Sequence, residues 1–379
     1  MKKLFSVLLL ICLCLSFVAC GGDATEQPDS NVTGSQSEVV SSESSADTST
    51  DTSTDSSFDS AASSEASTDT SVGTDTETTT DTKVESSDPV PNLVLAGDQR
   101  NNEVIVYDLD KLEAGDDLDL AEEWSYNAGV SHIAGMKYRE DTVFGDVIII
   151  AAGANNGKAQ MVSYPEGKLL WSTDKAGNNP HCIEILPSGN IIVASSTGGT
   201  LRFFKTSALL NNDTATASTY TDYALYGAHG VLWDPKFETL WGLGDDALTA
   251  YSVSGEGVDE VLTPNIKKSV ALPADGGHAL AADMTDPNYL YVSVGSGIYR
   301  FAKEKRSFTS FLHLSSVKGI AHISNGNFAI SVPNGTYKSW CTDVLQFYTL
   351  EGRKYKPQSF KSADGCAFYK VYAFDGQYQ

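Results

Sequence analysis

Histidines recur at a nearly fixed interval through residues 91–379. Four of them, spaced by 49, 48 and 49 positions, are His132, His181, His229 and His278. Each opens a short apolar segment, and the run from His181 to Val193 aligns with the run from Lys318 to Ile330. Lys318 therefore stands where a fifth histidine would be expected. Self-similarity at a period of this length indicates a repeat architecture in which every copy forms the same small unit.

Turn residues divide every copy into short apolar segments. The first copy has candidate strands at 147–151, 159–164 and 169–172, and the third copy has them at 240–243, 248–253 and 269–272. Gly, Asn and Asp separate these segments, and none has the length and 3.6-residue period of a helix. Four short strands in about 40–50 residues correspond to one blade of a β-propeller.

The two ends of the region supply a sixth blade. Residues 93–96, 104–107 and 123–126 are candidate strands before the first repeat histidine, and Cys366 to Phe374 would be the innermost strand of the same blade. Pairing the beginning of the region with its end closes the ring without a free edge. We therefore predict an all-β fold, a six-bladed β-propeller over residues 91–379 that is closed by its N- and C-terminal strands and preceded by a disordered linker.

Local runs resemble known propeller repeats. The run from Asp98 to Asp108 resembles the turn and strand of an NHL repeat, and Gly167 to Trp171 is similar to the strand ending of quinoprotein-type repeats. The whole region resembles a family of bacterial six-bladed propellers of unknown function, through the runs Asn179–His181, Ala228–Val231 and Gly276–His278. These resemblances imply a propeller and bring no particular reaction with them.

The start of the chain has the pattern of a bacterial export signal. Lys2 and Lys3 precede an apolar run, Leu4 to Ala19, that is short for a bilayer span and fits a signal peptide. The run from Phe17 to Gly22 resembles a lipobox, which implies a signal peptide over residues 1–19 and lipidation of Cys20. An ordinary secretory signal and a retained anchor helix are the alternatives, and both also export the domain. We predict a lipid-anchored protein on the outer, extracytoplasmic face of the cell membrane.

Residues 20–90 are predicted to be the lipidated cysteine followed by a disordered linker. From Asp23 to Asp88 the chain is rich in Ser, Thr, Asp and Glu and cannot bury enough apolar surface to fold. Residues 21–90 carry 16 acidic side chains and one basic one, and residues 91–379 have a net charge of −10. Because we find no lysine and arginine cluster suited to a phosphate backbone, we predict no nucleic-acid partner.

The repeat histidines are the candidate functional residues. If each lies at the start of the innermost strand of its blade, their side chains meet at one mouth of the central channel. This candidate ring for a ligand or a metal consists of His132, His181, His229, His278 and Lys318, with Asp364 in the sixth place. Imidazole suits proton transfer or metal binding, and three histidines at most would reach one divalent metal, for which Mn, Zn or Ca is considered.

A structural role for the repeat histidines is the alternative, because repeat residues commonly stabilise the unit that recurs. Lys318 argues against it, since a cation among histidines suits an anionic ligand such as a carboxylate or a sulfate. Two other side chains are singled out. Arg139 is expected to be an exposed charge at a turn, and Trp340, in the polar loop 334–342, is a candidate surface platform for a sugar.

Three classes of function remain open from the sequence. The first is a cell-surface protein whose propeller binds a carbohydrate or another anionic ligand at the channel mouth. The second is a metal-dependent lyase or hydrolase of acidic oligosaccharides, since oligogalacturonate lyases and arylsulfotransferases resemble this chain in placing histidines inside a propeller. The third is a scaffold for protein partners. The sequence identifies no catalytic residue.

Overall fold

Six antiparallel sheets make up most of the part of the chain that the computed structural model describes, residues 89–352 and 354–378. Their innermost strands touch one another in a closed circle, because each contacts the next and the last contacts the first. The sheets are therefore the blades of one six-bladed β-propeller around a central channel, as predicted. The predicted signal peptide, Cys20 and the linker as far as residue 88 lie outside the described residues.

The first three blades each have four strands, named from the innermost strand outward. Blade 1 consists of β25 (Phe368–Ala373), β1 (Leu93–Asp98), β2 (Glu103–Asp108) and β3 (Glu122–Asn127). Blade 2 consists of β4 (Ile133–Thr142), β5 (Gly145–Ala152), β6 (Lys158–Ser163) and β7 (Leu169–Thr173). Blade 3 consists of β8 (Pro180–Ile185), β9 (Ile191–Ser195), β10 (Thr200–Phe204) and β11 (Tyr220–Ala224).

The other three blades follow the same order. Blade 4 consists of β12 (Gly230–Asp234), β13 (Thr239–Leu243), β14 (Ala247–Ser254) and β15 (Val261–Pro264), and β16 (Val270–Ala271) also pairs with β14. Blade 5 consists of β17 (Leu280–Ala282), β18 (Tyr289–Val294), β19 (Gly297–Ala302) and β20 (Ser307–Leu312). Blade 6 consists of β21 (Gly319–His322), β22 (Phe328–Ser331), β23 (Val344–Glu351) and β24 (Lys354–Lys361).

Helical structure in the described residues is limited to short turns between strands. One α-helical turn, α1, spans Thr214–Ala217, and 3₁₀ turns span Leu109–Lys111, Leu118–Ala121, Thr206–Asn211 and Gly257–Asp259. No helix within the described ranges is long and apolar enough to cross a membrane.

Burial falls from the channel to the rim of each blade. Every residue of the innermost strand β8 is buried, whereas β11, the outermost strand of the same blade, is largely exposed. An innermost strand is covered on both faces by neighbouring blades, so it can be apolar without alternation. A polar side chain on an innermost strand is therefore an exception among buried apolar residues.

The ring closes through the predicted pairing of the two ends. β25 is antiparallel to β1, with Val94 opposite Ala373 and Leu95 opposite Tyr372. One detail of the third copy was wrong, because its outer strand is Val261–Pro264 and the predicted segment 269–272 contains only the two-residue strand β16. The eight-residue β14 pairs with β15 through its second half and with β16 through its first residues, which accounts for the difference.

Neighbouring innermost strands approach closely at one end of the channel. A Cβ atom on Gly135 would lie 2.7 Å from the Cα of Cys182 in the next blade. A Cβ atom on Gly319 would lie 2.9 Å from the Cα of Lys370. Real Cβ atoms are not found at such distances, so glycine is needed at both positions. The side chains around these positions are therefore brought together within a narrow channel.

Candidate functional site

The starts of the innermost strands place three repeat histidines and the repeat lysine at one mouth of the channel. His181 is the second residue of β8, His229 directly precedes β12, His278 lies two residues before β17, and Lys318 directly precedes β21. Because the four belong to consecutive blades, they follow one another around the channel. We call these four residues, His181, His229, His278 and Lys318, the histidine cluster.

The members of the histidine cluster are in direct contact. The ring centroids of His181 and His229 are 4.4 Å apart, and those of His229 and His278 are also 4.4 Å apart and stacked. The Lys318 Nζ lies 2.7 Å from the Nε2 of His278. His181 is 7% exposed and the other three are half-buried, so the cluster is partly exposed to solvent.

His132 lies apart from the histidine cluster, although it directly precedes β4 of blade 2, the blade adjacent to that of His181. Its backbone has a φ of +61°, and its ring faces Trp340 at 6.2 Å between centroids. The place beside His181 is taken instead by Tyr369 of β25, whose hydroxyl is 3.2 Å from the His181 Nδ1. The structure thus brings together four of the five predicted ring residues and does not bring in His132.

The orientation of two cluster histidines is fixed by backbone carbonyls. The Nδ1 of His229 lies 2.6 Å from the carbonyl oxygen of Gly227, and the Nδ1 of His278 lies 3.1 Å from that of Gly276. Since a carbonyl can only accept, both rings donate from Nδ1, and in a neutral ring Nε2 then carries a lone pair. For His278 this lone pair accepts a hydrogen bond from the Lys318 ammonium.

All three cluster histidines are neutral near pH 7. Burial, followed by the nearby charge of Lys370, lowers the pKa of His229 to about 3. Burial and the neighbouring His229 and Lys318 lower the pKa of His278 to about 2. The pKa of His181 is also well below its usual value, mainly because the ring is buried. The positive charge at the mouth is therefore supplied by lysine.

A second lysine, Lys370 of β25, lies under the histidine cluster. Its side chain is buried, and its ammonium donates to the carbonyl oxygens of His229 at 3.0 Å and His278 at 2.7 Å. Within the described residues it has no carboxylate partner. Burial is the main cause that lowers the pKa of Lys370 to about 8; Cys182 opposes this shift, and the nearby charges of Lys318 and Lys137 contribute to it. At neutral pH it is a buried cation whose field reaches the mouth.

Lys370 was not predicted as a site residue, and Asp364, the residue predicted for the sixth ring position, does not belong to the cluster. Asp364 is exposed in the loop before β25, where its backbone N–H donates to Asp119, and β25 supplies Tyr369 and Lys370 to the channel instead. A signal was present, because Lys370 is a charged residue in the middle of a strand that is otherwise apolar or aromatic. Lysine is almost never fully buried unless something specific holds it.

Farther along the channel, Glu184 is held between two cations. Lys137 Nζ is 2.7 Å from the Glu184 Oε2, and Arg139 reaches the same carboxylate with Nη2 at 2.9 Å and Nε at 3.1 Å. The three side chains are buried, so the prediction that Arg139 is an exposed turn charge was wrong. The Arg139 guanidinium also lies 4.8 Å from the ring of Tyr378, which fixes the C-terminal segment over this end.

The channel end near Arg139 offers little room. The cavity lined there by Lys137, Arg139 and His322, among others, has a volume of about 50 Å³. That volume holds a few water molecules and is too small for an organic ligand. This end of the channel is therefore not a binding site for an organic ligand.

The donor set of the histidine cluster does not fit a metal ion. The Nδ1 contacts of His229 and His278 to carbonyl oxygens would leave Nε2 as the coordinating atom. The Nε2 of His278 faces the Lys318 ammonium, however, and Lys370 adds a second positive charge that disfavours a cation. No group of three histidine, cysteine, aspartate or glutamate side chains among the described residues is arranged to hold a metal. The Mn, Zn or Ca ion considered from the sequence has no support in this geometry.

Two other sequence candidates have different surroundings from those expected. Trp340 is half-buried, and its indole N–H donates to the Gln99 side-chain oxygen at 3.0 Å, so its polar edge is already used. The cysteines of the folded region, Cys182, Cys341 and Cys366, are all buried and free. The described cysteines therefore form no disulfide.

The closed ring of six sheets and the lysine–histidine mouth define the class of this chain. It is a six-bladed β-propeller with a polar, positively charged entrance to its channel. A family model matches residues 138–353, and the chain belongs to that family, the DUF6528 family of unknown function. The sequence-based expectation of an uncharacterised propeller family is confirmed, whereas the relation to NHL and quinoprotein repeats stays a prediction.

Solved structures similar to this chain include two proteins without known function. A protein of unknown function from Bacteroides caccae is 14% identical, with a TM-score of 0.48, over 74% of this chain and 98% of its own. A functionally unknown protein from Desulfotomaculum acetoxidans is 12% identical, with a TM-score of 0.46, over 72% and 99%. The dihydro-heme d1 dehydrogenase NirN, in complex with DHE, is 16% identical, with a TM-score of 0.42, over 73% and 54%. No curated protein matches the sequence.

Proposed function

We propose that this protein is an exported lipoprotein whose propeller binds an acidic carbohydrate, or another small anion, at the histidine cluster. The observation that carries the proposal is the pair of lysines at one channel mouth, of which Lys370 is buried without a carboxylate partner among the described residues. Burying a charge without neutralising it costs free energy, so an anion above it would be favoured.

The neutral histidines favour a ligand that also carries hydroxyl groups. The His229 Nε2 has a lone pair directed away from Gly227, and a lone pair accepts a hydrogen bond from a hydroxyl. Lys318 can donate to a carboxylate or a sulfate at the same mouth. A uronic acid or a sulfated sugar offers both groups, which is why we prefer an acidic carbohydrate to a simple inorganic anion.

The cellular setting of the proposal rests on the sequence. A signal peptide over residues 1–19, a lipid on Cys20 and an acidic spacer would hold the propeller at the outer face of the cell membrane. The membrane is then a partner through the lipid anchor alone. We propose no nucleic-acid partner, since the region 91–379 has a net charge of −10.

Replacing Lys318 by glutamine is expected to weaken the binding of galacturonate by about tenfold or more, because a charge-assisted hydrogen bond contributes about 1.5–3 kcal/mol. The affinity would be measured by isothermal titration calorimetry at pH 7 in a chloride buffer without sulfate or phosphate. A matched control is Lys305→Gln, because Lys305 is an exposed lysine away from the histidine cluster.

Equal affinity of the wild type, Lys318→Gln and Lys305→Gln would contradict the assignment of the site, and no binding by the wild type would contradict the proposed function. A parallel titration with EDTA distinguishes the proposed site from a metal-dependent site, because binding at the two lysines should not change when EDTA is added. Loss of binding with EDTA and its return with added Mn, Zn or Ca would instead favour a metal site.

The affinity for galacturonate is also expected to fall as the pH rises from 7 to 9. Lys370 loses its proton with a pKa of about 8, so the positive charge beneath the cluster disappears across this interval. The same titration in Lys370→Met should show weaker binding at pH 7 and a flatter pH dependence. A wild-type affinity that is constant from pH 7 to 9 would show that Lys370 plays no part.

A further inference from the structure

A second concave surface lies on the outer part of the propeller, between blades 2 and 3. It is a cleft of about 850 Å³ beside the segment that joins β7 to β8. Its wall is formed by β10 and β11, and its other side by the turn between β5 and β6. The volume is within the range of about 300–1,000 Å³ that is typical of small-molecule sites. None of the histidine cluster lines this cleft.

One wall of the cleft is held rigidly by Arg202. Its guanidinium makes two parallel hydrogen bonds to Asp222, both 2.7 Å, and a third to the carbonyl oxygen of Lys175 at 2.6 Å. It also stacks on the ring of Tyr220, at 3.9 Å from the ring centroid. Every nitrogen of this guanidinium is thereby used, so the wall is preorganised and needs no rearrangement when a ligand binds.

The charges that line the cleft cancel. Asp222 neutralises Arg202, and the remaining charged lining residues are one acid and one base, Asp174 and Lys175. The cleft therefore lacks the excess positive charge of the histidine cluster. A ligand with no net charge suits it better than an anion.

Hydrogen-bonding groups are available around the cleft. The amide of Asn178 accepts from the backbone N–H of Asn156 through Oδ1, and its NH₂ group has no partner among the described residues. The side chains of Asn156 and Lys175 likewise have no hydrogen-bond partner within that part of the chain. Tyr220 is 40% exposed and adds an apolar ring surface beside these groups.

We propose that this cleft binds a short neutral oligosaccharide. Side-chain amides and an ammonium group exchange hydrogen bonds with sugar hydroxyls, and the part of the Tyr220 ring that Arg202 and Phe204 leave uncovered can contact the C–H groups of a pyranose. This site is separate from the histidine cluster and does not depend on the proposed function.

The test is calorimetric titration of the full-length protein with three neutral trisaccharides, namely maltotriose, cellotriose and xylotriose. At least one of them is expected to bind, and Asn178→Ala and Tyr220→Ala should each weaken that binding by about tenfold, since each removes a direct contact. Tyr226→Ala is the matched control, because Tyr226 is 73% exposed and does not line the cleft.

Two further readouts separate this site from the histidine cluster. Lys318→Gln should leave trisaccharide binding unchanged, and Tyr220→Ala should leave galacturonate binding unchanged. Circular dichroism of Tyr220→Ala and Asn178→Ala checks that both retain the fold. Failure of all three trisaccharides to bind, or equal binding by the wild type, Asn178→Ala and Tyr220→Ala, would overturn the proposal.

Discussion

Replacing Glu184 by glutamine is expected to lower the free energy of unfolding by about 3–5 kcal/mol, which is what removal of one partner of a buried ion pair costs. The carboxylate lies between Lys137 and Arg139, and neither cation has another carboxylate within hydrogen-bond distance among the described residues. Burial tends to raise the pKa of Glu184, but Arg139 and Lys137 lower it below its usual value. Glutamine keeps the shape and leaves two buried positive charges.

The comparison that isolates this effect is Glu351→Gln. Glu351 pairs with Lys356 at the surface, so its loss is expected to cost at most about 1 kcal/mol. Urea unfolding of both variants and the wild type gives the two differences. If Glu184→Gln does not fold, the triple variant Lys137→Met, Arg139→Met and Glu184→Met should recover a folded domain, because apolar replacement of a whole buried ionic group is tolerated. Equal losses for Glu184→Gln and Glu351→Gln would contradict the assigned role.

Acid is expected to destabilise the propeller steeply between about pH 6.5 and pH 4. The pKa of His278 is lowered to about 2, that of His229 to about 3 and that of His322 to about 4, with burial as the main cause in each. In the unfolded chain these histidines take up a proton near pH 6.5, whereas in the folded protein they stay neutral. The unfolded state therefore binds more protons as the pH falls.

Because the unfolded state binds more protons than the folded state at low pH, acidification lowers the free energy of unfolding. Stability is complete above pH 6.5, where both states are neutral, and is lost toward the folded-state pKa values. Each buried histidine contributes up to about 1.4 kcal/mol per pH unit across that window. Urea unfolding at pH 7, 6, 5 and 4.5 measures the slope directly.

A matched pair of variants tests the source of the acid sensitivity. His278→Gln removes one buried imidazole. The slope of the free energy of unfolding against pH should therefore decrease by the contribution of one proton, up to about 1.4 kcal/mol per pH unit. His313→Gln removes an exposed histidine and should leave the slope unchanged. Identical slopes for the wild type and His278→Gln would show that the buried cluster does not cause the acid sensitivity.

The fold could be predicted from the sequence because each copy of the repeat carries the same short-range pattern of residues. The histidine period, the short apolar strands and the turn residues each constrain a segment of a few residues, and the strands of blade 1 at both ends of the region complete the ring. The one misplaced strand, in blade 4, shows the limit of local patterns. Both segments after β14 pair with it, β15 with its second half and β16 with its first residues, and local patterns do not show which segment forms the longer strand.

The candidate site was predicted in part. The repeat correctly located His181, His229, His278 and Lys318 at the starts of innermost strands, because a repeat position maps to the same place in every blade. It could not show that Tyr369 would take the position beside His181 or that the His132 ring would turn toward Trp340. Those outcomes depend on segments that come from far along the chain, β25 for Tyr369 and the loop 334–342 for Trp340.

The all-β class, the number of blades and the placement of the repeat histidines at the starts of innermost strands followed from hydrophobic patterns and spacing within each copy. The position of Lys370 beneath the histidines, the contact of Glu184 with Lys137 and Arg139, and the neutral state of the histidines were not predictable in this way and depend on the packing of the blades. The physical reason is that charge and pKa depend on burial and on partners in other blades, which no local pattern contains.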